Sequence, residues 1–525
     1  MQAALLITQA EVADETGVRT ADVAVENGVI TAVAPCLPVE SARERVAGTG
    51  LLLMPGFIDL HAHSALRPFD DPLLAAKVGQ GFTTELICPD GLGPAPLTDA
   101  TRAGREQYLQ GLEPSVAAHW DWQGMDQFLA AVGAARPSAS IVSCVPHSAV
   151  RECVMGAANR KPDAREMTAM RDLVESSLAA GCRAVSFGMI YAPGLYADTE
   201  ELIGIAEAAA KFDVPLVPHV RNEAAGIIDS IAEFVRVAEL TGAALHVSHV
   251  KLVGVPHLLA QLIDLLSSAQ KRIRLTFDQY PYGAGSTILS VLLPPYAFDG
   301  GPAAVLERVR DKGERDRMAR DMHAGLPNWE NLFAACGPEN IIVTQAAAPR
   351  DGDVGKTVAQ IAEETDADPA FVVMDLLSDT GLDVAMIDHY SEEEVVKEIF
   401  VRSGALVGSD GVFNPHPHPR LYGTAPKVLG RFALRDKMIT VPEAVTRLSA
   451  GPARLLGLDD RGVIAEGRRA DLVLLDPARY VDNATYEQPH QTPEGVELVT
   501  IGGTPVWRHG RHTGARPGVV HGAVS

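Results

Sequence analysis

Cysteine is scarce in this chain, six in 525 residues, with no Cys-x-x-Cys pair. A secreted scaffold held by disulfides needs a denser supply, so these are expected to be reduced thiols of a cytoplasmic protein. Cations are also few: 45 lysines and arginines face 67 acids, for a net charge of -22. Such a surface repels phosphates and excludes nucleic acid as an expected partner. No apolar run reaches the ~18 residues a membrane helix needs, and the first residues lack the basic stretch, apolar core and cleavage site of an export signal. Internal repeats and low-complexity segments are missing too. What is left reads as a long globular chain with ample core for a large domain and a second one.

The residues present are most informative where apolar runs stop on histidine. Ile58-Asp59-Leu60-His61-Ala62-His63 ends a strand-like run on two histidines one residue apart. On an extended strand they share a face and can bind one divalent ion. The pattern recurs in Leu216-Val217-Pro218-His219 and in Ala244-Leu245-His246-Val247-Ser248-His249, and Ala405 to Asp410 closes a further run on an aspartate. Four strands that each deliver a metal-type or acid/base group at the C-terminal end describe a parallel β/α barrel.

Helical periods fill the gaps. Asp163 to Ala180, Thr199 to Phe212 and Ala224 to Thr241 read as helices, each followed by a strand-like run. That alternation means a parallel sheet. Candidate barrel strands end near His63, Cys88, His147, Ile190, His219, His249, Asp278 and Asp410, which gives a (β/α)8 barrel with a site at its C-terminal strand ends. Both termini instead alternate in short β-like runs, with Glu26-Asn27-Gly28 and Gly502-Gly503 as turn signals. We therefore expect residues 1–54 and 460–525 to form one small β-sandwich flanking a barrel over 55–459. The stretch of about 288–345 is too long for a barrel loop and is expected to be an inserted subdomain or lid.

Three segments carry a family resemblance. Pro55-Gly56-Phe57-Ile58-Asp59-Leu60-His61-Ala62-His63, Gly408-Ser409-Asp410-Gly411 and Gly467-Arg468-Arg469-Ala470-Asp471-Leu472-Val473 resemble the amidohydrolase superfamily. Ile190 to Thr199, Asp278-Gln279-Tyr280-Pro281-Tyr282 and His416-Pro417-His418-Pro419-Arg420 are similar to its N-acyl-D-amino-acid deacylases. The resemblance runs from about residue 3 to 508. It implies that His61 and His63 hold one metal position and His219 and His249 another, with one or two zinc ions as cofactor. It also implies that Asp410 acts as general base and then general acid in cutting the amide of an N-acyl-D-amino acid. Lys251, Tyr280, Ser286 and Arg420 match positions that hold the substrate's α-carboxylate, and Tyr191 is expected to line the pocket. His147 is expected to support the site through a hydrogen bond, and His246, three residues before His249, to be a packing residue.

One departure matters chemically. The deacylases carry a cysteine after the second strand, in a segment ending Gly-Asn-Cys-Gly. Here Thr83-Thr84-Glu85-Leu86-Ile87-Cys88-Pro89-Asp90-Gly91 puts Asp90 at that place, with Cys88 as a competitor two residues upstream. Carboxylate is the harder ligand. The alternative reading is a cyclic-amide hydrolase of the dihydroorotase or hydantoinase type, which usually has a carbamylated lysine bridging its metals. Ser186-Phe187-Gly188-Met189-Ile190 offers no lysine at the end of the fourth candidate strand. The expected partner is a small-molecule substrate, with no membrane and no nucleic acid, and self-association into a homo-oligomer is left open.

Overall fold

In the computed structural model, which describes residues 3–38 and 42–523, the central element is a parallel sheet that curls back on itself. Its strands are β1 (Phe57–His63), β2 (Phe82–Ile87), β3 (Ser140–Pro146), β4 (Ala184–Gly188), β5 (Leu216–His219), β6 (Leu245–Val247), β7 (Leu275–Gln279), β8 (Leu406–Val407) and β9 (Gly411–Val412). They pair in chain order from β1 to β8, and β9 pairs with β1. The sheet's two ends are thus two pieces of one segment, split at Gly408–Asp410, and together they occupy the eighth stave of a TIM-barrel-like domain. Every residue of β1, β2, β3, β4, β5 and β6 is buried. That explains their near-continuous apolar runs, since helices cover the outer face.

The covering helices start and stop for local reasons. Helix Ala164–Ala179 begins on Asp163, whose carboxylate accepts from the Arg165 and Glu166 amides while Glu166 reaches back in a reciprocal cap. Helix Ile227–Thr241 buries Ile231, Phe234, Val235 and Ala238 on its barrel face and ends at Gly242, at φ 73°.

The termini join in a second sheet of nine strands, where Leu472–Leu475 lies antiparallel to Leu52–Pro55 and ties the C-terminal strands to the N-terminal ones. Leu5, Ile7, Val23 and Val25 share a separate core there with Leu472, Leu474 and Leu498. The last residues leave this sheet: Ile141 at the start of β3 donates its amide to Val519 and accepts from His521. Between β7 and β8 the chain makes an excursion around an antiparallel sheet of Ala284–Ile288, Val384–His389 and Ile341–Ala346. Its central strand, Val384–His389, follows helices Val358–Thr365 and Pro369–Thr380, which read in sequence like ordinary barrel helices. Among the described residues no helix is long and apolar enough to cross a membrane.

Candidate active site

Two histidine pairs and two aspartates meet at the mouth of the barrel. β1 presents His61 and His63 on one face, β5 ends on His219, and His249 follows just past β6. Asp90 lies just past β2, and Asp410 in the break between β8 and β9. None of the six is more than 6% exposed. Asp90, His249 and Asp410 have positive φ angles of 55°, 32° and 52°, as does Cys88 at 58°. A non-glycine residue held there costs about 1–3 kcal/mol and is concentrated at functional sites.

The spacing suits two cations. Asp90 Oδ2 lies 3.2 Å from His61 Nε2 and 3.4 Å from His63 Nε2, while Asp410 Oδ1 lies 3.6 Å and 3.2 Å from the same nitrogens. Ligands on a tetrahedral zinc with bonds near 2.0–2.1 Å stand about 3.3 Å apart, so these atoms sit at tetrahedral edges. The other oxygen, Asp90 Oδ1, lies 3.8 Å from His219 Nδ1 and 3.4 Å from His249 Nε2, which are 3.0 Å from each other. One carboxylate therefore faces both histidine pairs. Asp90 Oδ1 is buried without a hydrogen-bond partner, a loss of about 1–3 kcal/mol that a bound cation would remove.

Charge tells the same story. Burial and Lys251 pull the His249 pKa down, yet Glu223 and Asp90 carry it up to about 10. Burial likewise depresses His63, but Asp410, Asp90 and Glu113 raise it well above the ordinary imidazole value. The carboxylates thus require positive charge from protons or from a divalent ion. Because ligating histidines must be neutral, metal binding would release those protons.

The supports behind these groups are polar and buried. Lys77 Nζ lies 2.6 Å from Asp59 Oδ2 and 2.7 Å from Ser409 Oγ, and Asp59 Oδ1 accepts the Ser409 amide at 2.7 Å. Asp278 accepts the His249 amide at 3.0 Å and binds His246 Nε2 at 2.9 Å. Glu223 Oε1 is 3.0 Å from His249 Nδ1, and its Oε2 is 3.6 Å from His219 Nε2 and 2.7 Å from Lys251 Nζ. Two glycines are obligatory by contact. A Cβ on Gly188 would stand 1.8 Å from the Asp90 carbonyl oxygen, and one on Gly408 would meet His61 Cβ at 2.6 Å.

The amidohydrolase family profile matches residues 46–507. The chain belongs to that family. This amidohydrolase is 30% identical over 495 residues to an N-acyl-D-glutamate deacylase of Alcaligenes xylosoxydans xylosoxydans, covering 93% of this chain and 90% of the relative. It is also 30% identical to a D-aminoacylase of the same organism, over 96% of this chain and 93% of that one. Among solved structures, an N-acyl-D-glutamate deacylase from Bordetella bronchiseptica, complexed with zinc and a phosphonate mimic of the tetrahedral intermediate, superposes with a TM-score of 0.82. It has 29% identity and covers 99% of this chain and 100% of that one. D-hydantoinase, at 13% identity and a TM-score of 0.51, shows the fold alone.

The other expected residues fall at varied distances from the metal-type donors. Cys88 is buried with its Sγ close to Gly93 and belongs to neither donor group. Positive φ at both 88 and 90 breaks the two-residue alternation that would have put Cys88 and Asp90 on one face. Arg420 lies over the Tyr280 ring at 4.4 Å, donates to the Ser286 carbonyl at 2.9 Å and approaches Asp410 Oδ2 at 2.9 Å. Tyr191 bonds Thr287 at 2.9 Å with its ring 5.3 Å from that of His219. His147 binds Glu201 at 2.8 Å and belongs to neither donor group. His246 does more than pack, since it holds the aspartate that orients the His249 backbone.

Sequence reading missed Glu223, Lys77 and Glu330. Asp59 was available from the alternation that selects His61 and His63, and Glu223 follows His219 by four residues. Glu330 had no local signal. With His219 and Glu223 it forms a further donor group, but Lys251 already supplies the positive charge there.

Proposed function

We propose that this amidohydrolase cuts the amide bond of N-acyl-D-amino acids, giving a carboxylate and a free D-amino acid, with zinc as its metal. The observation that carries this reading is the Asp90 carboxylate shared between the two histidine pairs, beside Asp410 and the cation-bearing wall of Arg420. His61, His63, Asp90, His219 and His249 would hold the metal, which when bound polarises the amide carbonyl and makes water more acidic. Residues 55–459 would carry this chemistry, with 1–54 and 460–525 as a sandwich-like buttress.

Asp410 has two distinguishable oxygens. Oδ2 is held by Arg420, while Oδ1 faces the His61 and His63 nitrogens. Oδ1 would take the proton of the attacking water and return it to the departing amine. Arg420 Nε and Ser286 Oγ are buried without hydrogen-bond partners. With Tyr280 and Lys251 nearby, they form a receptor for the α-carboxylate of the leaving amino acid. The cyclic-amide reading has less support, because Gly188 packs against the Asp90 carbonyl at the end of β4, where a bridging lysine would be needed.

Paired N-acetyl D- and L-amino acids with direct product detection test this. Hydrolysis of the D series, lost on chelation and restored by zinc, is the expected result. Asp410→Asn should keep the fold and lower turnover by about 10²- to 10⁴-fold. Preference for cyclic imides, or full activity in metal-free protein, would sink the proposal.

A further inference from the structure

A cavity of about 410 Å³ lies beside the site, between the chain after β4 and the excursion between β7 and β8, with walls that include Met189, Ile190, Leu293 and Trp329. Its charged lining residues are Arg221 and Glu330. Arg221 is committed elsewhere: it donates to both Glu233 oxygens, at 2.7 Å and 3.2 Å, and to the Ala197 and Leu195 carbonyls. Glu330 is 4% exposed; its Oε1 accepts the Glu223 amide, and its Oε2 has no hydrogen-bond partner. The cavity thus mixes apolar walls with the polar Asn159, Tyr196 and Asn328, and it holds no uncommitted cation; Glu330 brings no positive charge, whether or not it carries a proton.

Its place relative to the expected carboxylate receptor decides what enters it. Glu330 bonds the Glu223 backbone, and the Glu223 carboxylate lies 2.7 Å from Lys251 Nζ. Glu330, in the cavity wall, is thus linked to the receptor through Glu223. Side chain and carboxylate leave the same α-carbon of the departing amino acid, so the group beside the receptor is that side chain. Resting on the deacylase reading, we infer that this cavity receives the side chain and that Glu330 rejects acidic ones. The substrates would then be N-acyl-D-amino acids with apolar or hydrogen-bond-donating side chains. A glutamate or aspartate side chain would bring a carboxylate beside Glu330, into a space with no uncommitted cation.

The test measures kcat/KM of the zinc-loaded enzyme on N-acetyl-D-leucine, -D-methionine, -D-glutamine, -D-glutamate and -D-aspartate. Leucine, methionine and glutamine should exceed glutamate and aspartate by about a hundredfold, the scale of leaving a buried charge unpaired. Ile190→Arg, at the half-buried wall, supplies the missing cation and should raise glutamate over leucine by about tenfold. Glu330→Gln, checked for folding by circular dichroism, should also narrow the gap. Preference of the wild type for acidic D-residues, or a glutamate-to-leucine ratio unmoved in both folded variants, overturns the inference while leaving the deacylase reading intact. Failure to cut any of these substrates overturns the reading beneath it.

Discussion

The two halves of the metal-type cluster are built from different materials. His61 and His63 stand on β1, backed by Asp59, Lys77 and Ser409, all fully buried and mutually bonded. That support comes from neighbouring barrel elements. His219 and His249 are backed by Glu223 and Lys251, and Glu223 in turn receives Glu330 from the excursion between β7 and β8. One half is thus set by the barrel itself. The other is coupled through Glu330 to the segment that lines the cavity, so under the proposal above substrate selection and metal orientation would share a residue there.

Asp90 joins the halves, and its loss should have the largest effect. Asp90→Ala removes a donor from both groups at once, and zinc content and amidase activity should fall together. Cys88→Ala should leave zinc bound, because Cys88 lies in neither group. Elemental analysis of the two purified variants separates them; the reverse ranking would return the ligand role to Cys88.

Next in size is the barrel half. Lys77→Met leaves Asp59 and Glu85 buried without their shared cation, which lies 2.6 Å and 3.3 Å from them. Breaking a buried pair costs about 3–5 kcal/mol, so denaturant unfolding should shift to clearly lower concentration. An unchanged midpoint would mean that the network is no structural anchor. In the other half, Glu223→Gln keeps the shape but weakens the carboxylate–histidine contacts. Zinc affinity at one position should drop by about ten- to a hundredfold with little loss of fold stability. If both variants lost stability equally and neither changed metal affinity, the contrast between the halves would collapse.

The contrast also explains what the sequence disclosed. His61 and His63 were legible because a two-residue period puts both on one strand face, and His219 because it ends an apolar run. His249 and Asp410 were legible as strand ends, although they lie beyond β6 and between β8 and β9, at positive φ. Asp90 could be placed only against a family pattern, since local periodicity favours neither it nor Cys88. Glu330 was hidden for a physical reason: it is 107 residues from the Glu223 amide it binds, and no local rule connects them. The excursion's extent was obscured because its amphipathic helices have the same period as barrel helices.

The smallest expected effect probes how the C-terminal region reaches the proposed carboxylate receptor. The Arg420 amide donates to His418 Nδ1 at 2.9 Å, so that nitrogen carries no proton. Burial, then Arg420, hold the His418 pKa well below the ordinary value; the ring is neutral, with its hydrogen on Nε2. That N–H points to the Tyr486 hydroxyl at 3.3 Å, and the Tyr486 ring packs between His389 and His418, with centroids 4.8 Å and 5.1 Å away. Tyr486→Phe keeps the ring packing and removes one acceptor, a change of about 0.5–1.5 kcal/mol, or roughly two- to tenfold. Since Arg420 is the group being positioned, the loss should appear as a raised KM for N-acyl-D-amino acids, with turnover at saturation nearly unchanged. The matching carboxamides, which lack the anion, should show no change. An equal loss on both substrate types would mean that Tyr486 supports the site generally and does not act through Arg420.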